Sequence, residues 1–187
     1  MLRNSKEIIF ALLACILIAA SYGAVLLYTN QIPAASELYG HTIGIIGFLL
    51  MLSTETLYSL RKRTRSSRWG PMSTWLQIHI FTGIVGPFMV LLHTSWKFSG
   101  VAGVTTLLTV VIVLSGFIGR YIYTRIPRNA DGIEDPGLVG QMQAGALANA
   151  RRLLSLWHTV HIPIGVALFV AAFTHILGAL YYATLLK

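Results

Sequence analysis

The sequence predicts an all-α integral membrane protein with five transmembrane helices, four in a bundle and the N-terminal one peripheral to it. Three observations carry this. Hydrophobic residues make up 55% of the 187-residue chain and charged ones only 11%, with a mean hydropathy of +0.69, which excludes an ordinary soluble globule. Five apolar stretches reach the roughly 20 residues needed to span a bilayer core: Glu7 to Tyr28, Gly40 to Leu60, Trp75 to Trp96, Val101 to Tyr123 and Leu156 to Ala183. Only helices satisfy their own backbone in lipid at such lengths. Third, all but Lys97 and Lys187 of the 14 Lys and Arg residues fall before the first stretch, between the second and third, or from the last turn of the fourth, at Arg120, to the start of the fifth. The expected location is the plasma (inner) membrane, and the positive-inside bias orients the chain in it with the N-terminus cytoplasmic and the C-terminus outside.

The net charge of +8 follows this topology and is not gathered on a soluble face, so the expected partner is the lipid bilayer and not nucleic acid. Four of the arginines, Arg61, Arg68, Arg120 and Arg151, carry a second reading: a cationic partner for a carboxylate at the inner surface.

The first span, within residues 1–30, starts basic and runs apolar. Its apolar stretch is long for a signal peptide, and the Ala-Ser-Tyr-Gly-Ala at residues 20–24 is a weak cleavage match, so it reads as a retained anchor. The second span carries His41 at its outer end and Glu55 about one and a half turns from its inner end. A carboxylate within a span is costly; Glu55 either snorkels towards Arg61 or its neighbours or accepts a proton in quinol chemistry.

The third and fifth spans decide the reading. His79 and His93 are fourteen positions apart, as are His161 and His175, and Trp75, His79, Ile80, Gly83 and His93 recur in register as Trp157, His161, Ile162, Gly165 and His175. Fourteen helical steps advance about 21 Å and bring the second residue back to within roughly 40° of the first. Each helix thus presents two imidazoles on one face. The two helices are separated by one span and run the same way, so His79 pairs with His161 and His93 with His175. Four such imidazoles would hold two stacked haems, each iron clamped by one His from either helix. Gly83, Gly86 and Val90 on one helix, and Gly165, Leu168 and Ala172 on the other, share the ligand face. The glycines either leave room for porphyrin edges or allow close helix packing. Pro87 and Pro163 are expected to kink their helices. A shared divalent ion is disfavoured, because ligands about 21 Å apart cannot meet on it; a proton relay without cofactor is the remaining reading of the histidines. His158 is seventeen positions from His175, which turns the two about 100° apart, so it is expected to be a non-ligand, either interfacial or lining a quinone pocket. His41 should lie near the depth of His93 and His175, as a polar interface residue or a quinone contact.

Cys15 is the single cysteine. Without a Cys-x-x-Cys-His run the haem is non-covalent, hence b-type. Residues 124–155 form the one sizeable extramembrane segment, turn-rich from Pro127 to Gly137 and then a short interfacial helix from Leu138 to Arg152. It is too small for a flavin or nicotinamide domain, and no Gly-x-Gly-x-x-Gly follows a strand.

Over residues 40–183 these histidines and glycines resemble the four-helix di-haem cytochrome b superfamily, which includes the cytochrome b core of bc complexes and the ferric-reductase-like transmembrane domains. The resemblance implies that His79, His93, His161 and His175 are axial ligands of two haem b groups and that electrons hop between them across the bilayer. The chain departs from both branches: it has no flavin and nicotinamide module, and it lacks the further helices and quinol-site motif of the bc branch. The implied function is an electron conduit, the cytochrome b subunit of a larger quinone-linked oxidoreductase with other redox subunits as partners. A ferric-reductase-like conduit fed by a separate flavoprotein is the first alternative, and a haem-stabilised assembly or sensing subunit the second.

Overall fold

The computed structural model describes residues 6–64 and 70–184, with side chains described as far as residue 182. The described chain is helical: α1 (Lys6–Thr29), α2 (Leu38–Thr64), α3 (Met72–His93), α4 (Gly100–Tyr123), the single turn α5 (Pro136–Val139) and α6 (Ala144–Thr184). Five of these, all but α5, are long and apolar enough to cross a membrane, which makes this a multi-pass membrane protein. Among the described residues the only β pairing is an isolated bridge between Arg128 and Glu134.

Large apolar side chains such as Phe10, Leu17, Leu107, Leu114, Val166 and Leu177 lie on the outside. In lipid such residues need no burial, so helix association rests on close packing and interhelical polar bonds. The helices group into two compact units, α1 to α3 and α4 to α6.

In the first unit α3 packs on both α1 and α2. Ala11 and Tyr22 of α1 and Ile43 of α2 form one buried cluster with Val85, Met89 and Leu92 of α3. Glycine sets the approach of α2 to α3. A Cβ on Gly47 would stand 2.9 Å from the Gly86 carbonyl oxygen, and one on Gly86 would stand 2.9 Å from that of Gly47. The Thr54 hydroxyl adds a hydrogen bond to that of Thr82, 2.6 Å across the same seam. Helix α3 ends at His93, three residues short of the expected Trp96, because Ser95 and Trp96 adopt φ of 50° and 62°. The Ser95 hydroxyl donates to the Pro33 carbonyl at 2.6 Å and ties this turn to the entry of α2.

In the second unit α4 packs on α6. Thr105, Thr106 and Thr109 are buried on α4, each hydroxyl donating to the carbonyl four residues earlier at 2.8–2.9 Å, so none of these three hydroxyl protons is left without an acceptor in lipid. The Trp157 indole fills the space above Gly119, where any Cβ would collide with it.

The interfacial helix expected from Leu138 to Arg152 is corrected. The chain makes one turn at Pro136–Val139, capped by the Asp135 carboxylate accepting from the Gly137 and Leu138 amides at 3.0 and 3.2 Å. It breaks at residues 140–143, then runs unbroken from Ala144 through the membrane-spanning segment. Nothing between Ala144 and Leu156 stops a helix except Gly145, at its first turn. Leu147, Ala150 and Leu154, spaced three and four apart, bury one face of this extension against Ile126. The extramembrane segment therefore has its own small core. Pro87 and Pro163 lie inside α3 and α6 without ending them.

Arg151 of the extension pairs with Glu134, with Arg128 3.8 Å from the same carboxylate. The Arg151 hydrogen bond, aided by the charges of both arginines, holds the Glu134 carboxyl below its usual range.

Two predictions follow from these contacts. Gly86→Ala should destabilise the protein by about 1–3 kcal/mol through overpacking against backbone, read as a lowered Tm in detergent. Gly23→Ala, on α1 with nothing within 4 Å of the added Cβ, should leave Tm unchanged or raise it. A group with a depressed native pKa stabilises above its unfolded value and loses that contribution as pH falls through the native one. Amide exchange protection over 128–135 should accordingly fall on acidification below the ordinary carboxylate range, and Glu134→Gln should show low protection at all pH values. Because the pair is solvent-accessible, high salt should shrink the effect.

Candidate functional site

His79 and His93 stand one near each end of α3, both half-buried and both turned onto α2. His79 Nδ1 lies 3.1 Å from the Thr54 carbonyl oxygen, and His93 Nδ1 lies 2.8 Å from that of Gly40. A carbonyl only accepts, so in each ring Nδ1 carries a proton, and the neutral tautomer that fits this contact has its lone pair on Nε2. The two carbonyls are fourteen residues apart on α2, as the histidines are on α3. An antiparallel helix pair with one constant register therefore anchors both imidazoles in the same way. Each carbonyl can serve its own helix and the imidazole together, having two lone pairs.

The surroundings of the two rings differ. Tyr58 of α2 lies against His79, with ring centroids 4.8 Å apart. His93 occupies the space above Gly44, where a Cβ would come within 2.6 Å of its ring. His41, exposed on α2, has its ring centroid 6.4 Å from that of His93. The structure thus brings His41 to the level of His93, as expected from the sequence.

The residues between the histidines on α3 serve α2. Gly86 is buried against Gly47 and Met51, Val90 touches the space above Gly47, and Gly83 faces the Thr54 methyl group, 3.5 Å from its would-be Cβ. Of the two glycines, Gly86 is the one in close contact with the α2 backbone.

On α6, His161 Nδ1 lies 2.9 Å from the Ser115 hydroxyl of α4. Trp157, one turn earlier, stacks on the His161 ring at 4.5 Å and 29°. Its indole N–H donates to the Ser115 carbonyl at 2.7 Å and to the Ser115 hydroxyl oxygen at 3.1 Å. His158 lies on the other side of this indole, 4.8 Å between centroids. His175 is half-buried further along α6. Gly165 has only Ile112 nearby, 4.0 Å from its would-be Cβ.

Glu55 is exposed on α2 and accepts from the Ser59 hydroxyl at 3.3 Å. It does not reach Arg61, which is buried and donates from Nε and Nη2 to the Gly70 carbonyl at 3.3 and 2.9 Å. Gly70, at φ of 76°, is the turn that leads into α3. Arg61 thereby pins the end of α2 to the start of α3. Arg151 is engaged by Glu134, Arg120 is half-buried on α4, and Arg68 lies outside the described residues. Arg125 and Arg128 pack over the Tyr121 and Tyr123 rings.

Reading the sequence alone missed the anchors, Gly40 and Thr54 on α2 and Ser115 on α4, and the space that Gly44 leaves for the His93 ring. The signal for α2 was present as Gly40, Gly44 and Gly47 at helical spacing. A carbonyl acceptor leaves no mark in a sequence. Among the described residues no group of three or more His, Cys, Asp or Glu could share a metal ion. Comparison with known protein families, characterised proteins and solved structures found no significant match.

Proposed function

We propose that the chain is a membrane di-haem cytochrome b that carries electrons across the bilayer as the quinone-linked subunit of a larger oxidoreductase. The observation that carries the reading is the matched pair of Nδ1 anchors on α3. A metal-bound imidazole characteristically donates its other N–H to a carbonyl or similar acceptor, which fixes its tautomer and orientation. His79 and His93 are held in that state by acceptors at the same fourteen-residue spacing. The repeat of the same spacing at His161 and His175 supplies the second ligand of each pair. His79 and His161 take one iron, nearer the cytoplasm by the arginine topology; His93 and His175 take the other. Bound haem supplies reversible one-electron storage. Glu55, exposed and held by Ser59, is the proton acceptor for quinol oxidised on the His79 side. His158 and His41 are its counterparts near each histidine level. The redox partner docks at the opposite face of the membrane.

Pyridine-haemochrome assay on the purified protein should give close to two extractable haems per chain. Replacing His79 or His161 by Ala should remove one, replacing His93 or His175 the other, and His158→Ala neither. A wild-type protein without haem overturns the proposal. A quinol analogue should reduce the haems, and Glu55→Gln should slow this by at least about tenfold at unchanged haem content. If quinol is inert while an added flavoprotein reductase reduces them rapidly, the quinone link falls and the ferric-reductase-like conduit replaces it.

A further inference from the structure

The last turns of α4 carry an exposed apolar stripe that ends in a charge. Leu114, Phe117, Ile118 and Tyr121, three and four residues apart, fall within an arc of about 100° on the helix, and all four are exposed. In a membrane span such a face meets lipid tails. Arg125, four residues beyond Tyr121 and also exposed, folds back along the same face. Its guanidinium carbon stands 4.6 Å from the Tyr121 ring centroid, and its Nη2 donates to the Tyr121 hydroxyl.

That direction is the informative part. An arginine at the end of a span ordinarily extends its charge away from the apolar layer into water. Arg125 is laid down towards that layer instead, its cation held over a tyrosine, a residue whose ring belongs at headgroup depth. A guanidinium has five N–H donors, and Tyr121 engages only part of them. The fold offers the rest no carboxylate: among the described residues Arg128 and Arg151 share Glu134, while Arg125 makes no ion pair. An acceptor at that height, above a lipid-facing stripe, is a lipid phosphate, whose oxygens match the planar guanidinium fork. The seven residues from Leu114 to Tyr121 give its acyl chain about 10 Å of apolar surface. A zwitterionic headgroup brings its own cation to the phosphate, so the arginine favours an anionic one. Arg152 supplies the contrast. It too is exposed and makes no ion pair among the described residues, but side chains on a helix tilt towards its N-terminus, which on α6 leads away from the span.

We propose that Arg125, clamped by Tyr121 above the stripe of Leu114, Phe117 and Ile118, is a binding site for an anionic phospholipid, with the headgroup phosphate on the guanidinium and an acyl chain along the stripe. The site lies on α4 and the residues just beyond it and does not depend on the haem reading.

Native mass spectrometry of the purified protein, titrated in detergent with phosphatidylglycerol or phosphatidylcholine, reads the affinity of the first lipid bound. Phosphatidylglycerol should bind about fivefold more tightly, and Arg125→Gln should abolish this preference. Tyr121→Leu keeps every charge but releases the guanidinium, and should lose most of the preference. Arg152→Gln removes the same charge from α6 and should retain it. Equal losses in Arg125→Gln and Arg152→Gln, or full preference in Tyr121→Leu, overturn the site in favour of a diffuse charge effect. Displacement of bound phosphatidylglycerol by equimolar inorganic phosphate would assign the site to a soluble anion, and displacement by equimolar polyglutamate to an acidic protein; either result overturns the proposal. Circular dichroism checks that each variant is folded. If Tyr121→Leu is not, the comparison of Arg125→Gln with Arg152→Gln still decides.

Discussion

The contact of Gly47 with Gly86 fixes the register on which the first unit depends. Two helices whose backbones touch at one point have little freedom to slide, because a shift of one residue would bring a side chain against a carbonyl. Once that crossing is set, antiparallel geometry dictates what lies opposite at either end. Gly40 falls beside His93 and Thr54 beside His79. The imidazole anchors are thus a consequence of a packing contact about midway between them. In lipid, with no water to compete, each such N–H to carbonyl bond restrains its ring more firmly than it would at an aqueous surface.

The second unit reaches a similar end by different means. Gly119 admits the Trp157 indole, the indole grips Ser115, and Ser115 meets His161. The backbone supplies the anchors in one unit, and a side-chain network supplies one in the other. A carbonyl anchor is insensitive to substitution at its own position, whereas a hydroxyl anchor depends on the residue there. The sequence repeat that relates His79 to His161 therefore conceals a chemical difference between them.

How much was legible beforehand follows from which forces leave a periodic trace. Spans, their order and the paired histidines were readable, because hydrophobic length and the 3.6-residue repeat are written directly in residue types. The first four spans matched the observed helices within four residues at either end. The start of α6 was misread, since its first turns are amphipathic and the expected boundary was placed where hydrophobicity rises. Burial of Leu147, Ala150 and Leu154 on Ile126 decided it instead, a contact between segments some twenty residues apart. One reading of Glu55 had it reach towards Arg61 or its neighbours; of these Arg61 is taken by a backbone carbonyl across a turn. The glycines of α3 showed that something approaches that face closely; only the structure gave α2 as the occupant of Gly86.

Helix α6 is 41 residues long, about 60 Å at 1.5 Å per residue, twice the thickness of a bilayer core. From Ala146 to Ile162 it contains neither glycine nor proline. Arg151, which grips the extramembrane segment through Glu134, and His161 therefore sit on one stiff rod less than three turns apart, whereas Pro163 separates His161 from His175. Arg151 and His161 thus belong to one stiff element, so a change in the Glu134 contact reaches His161 with no intervening glycine or proline to absorb it.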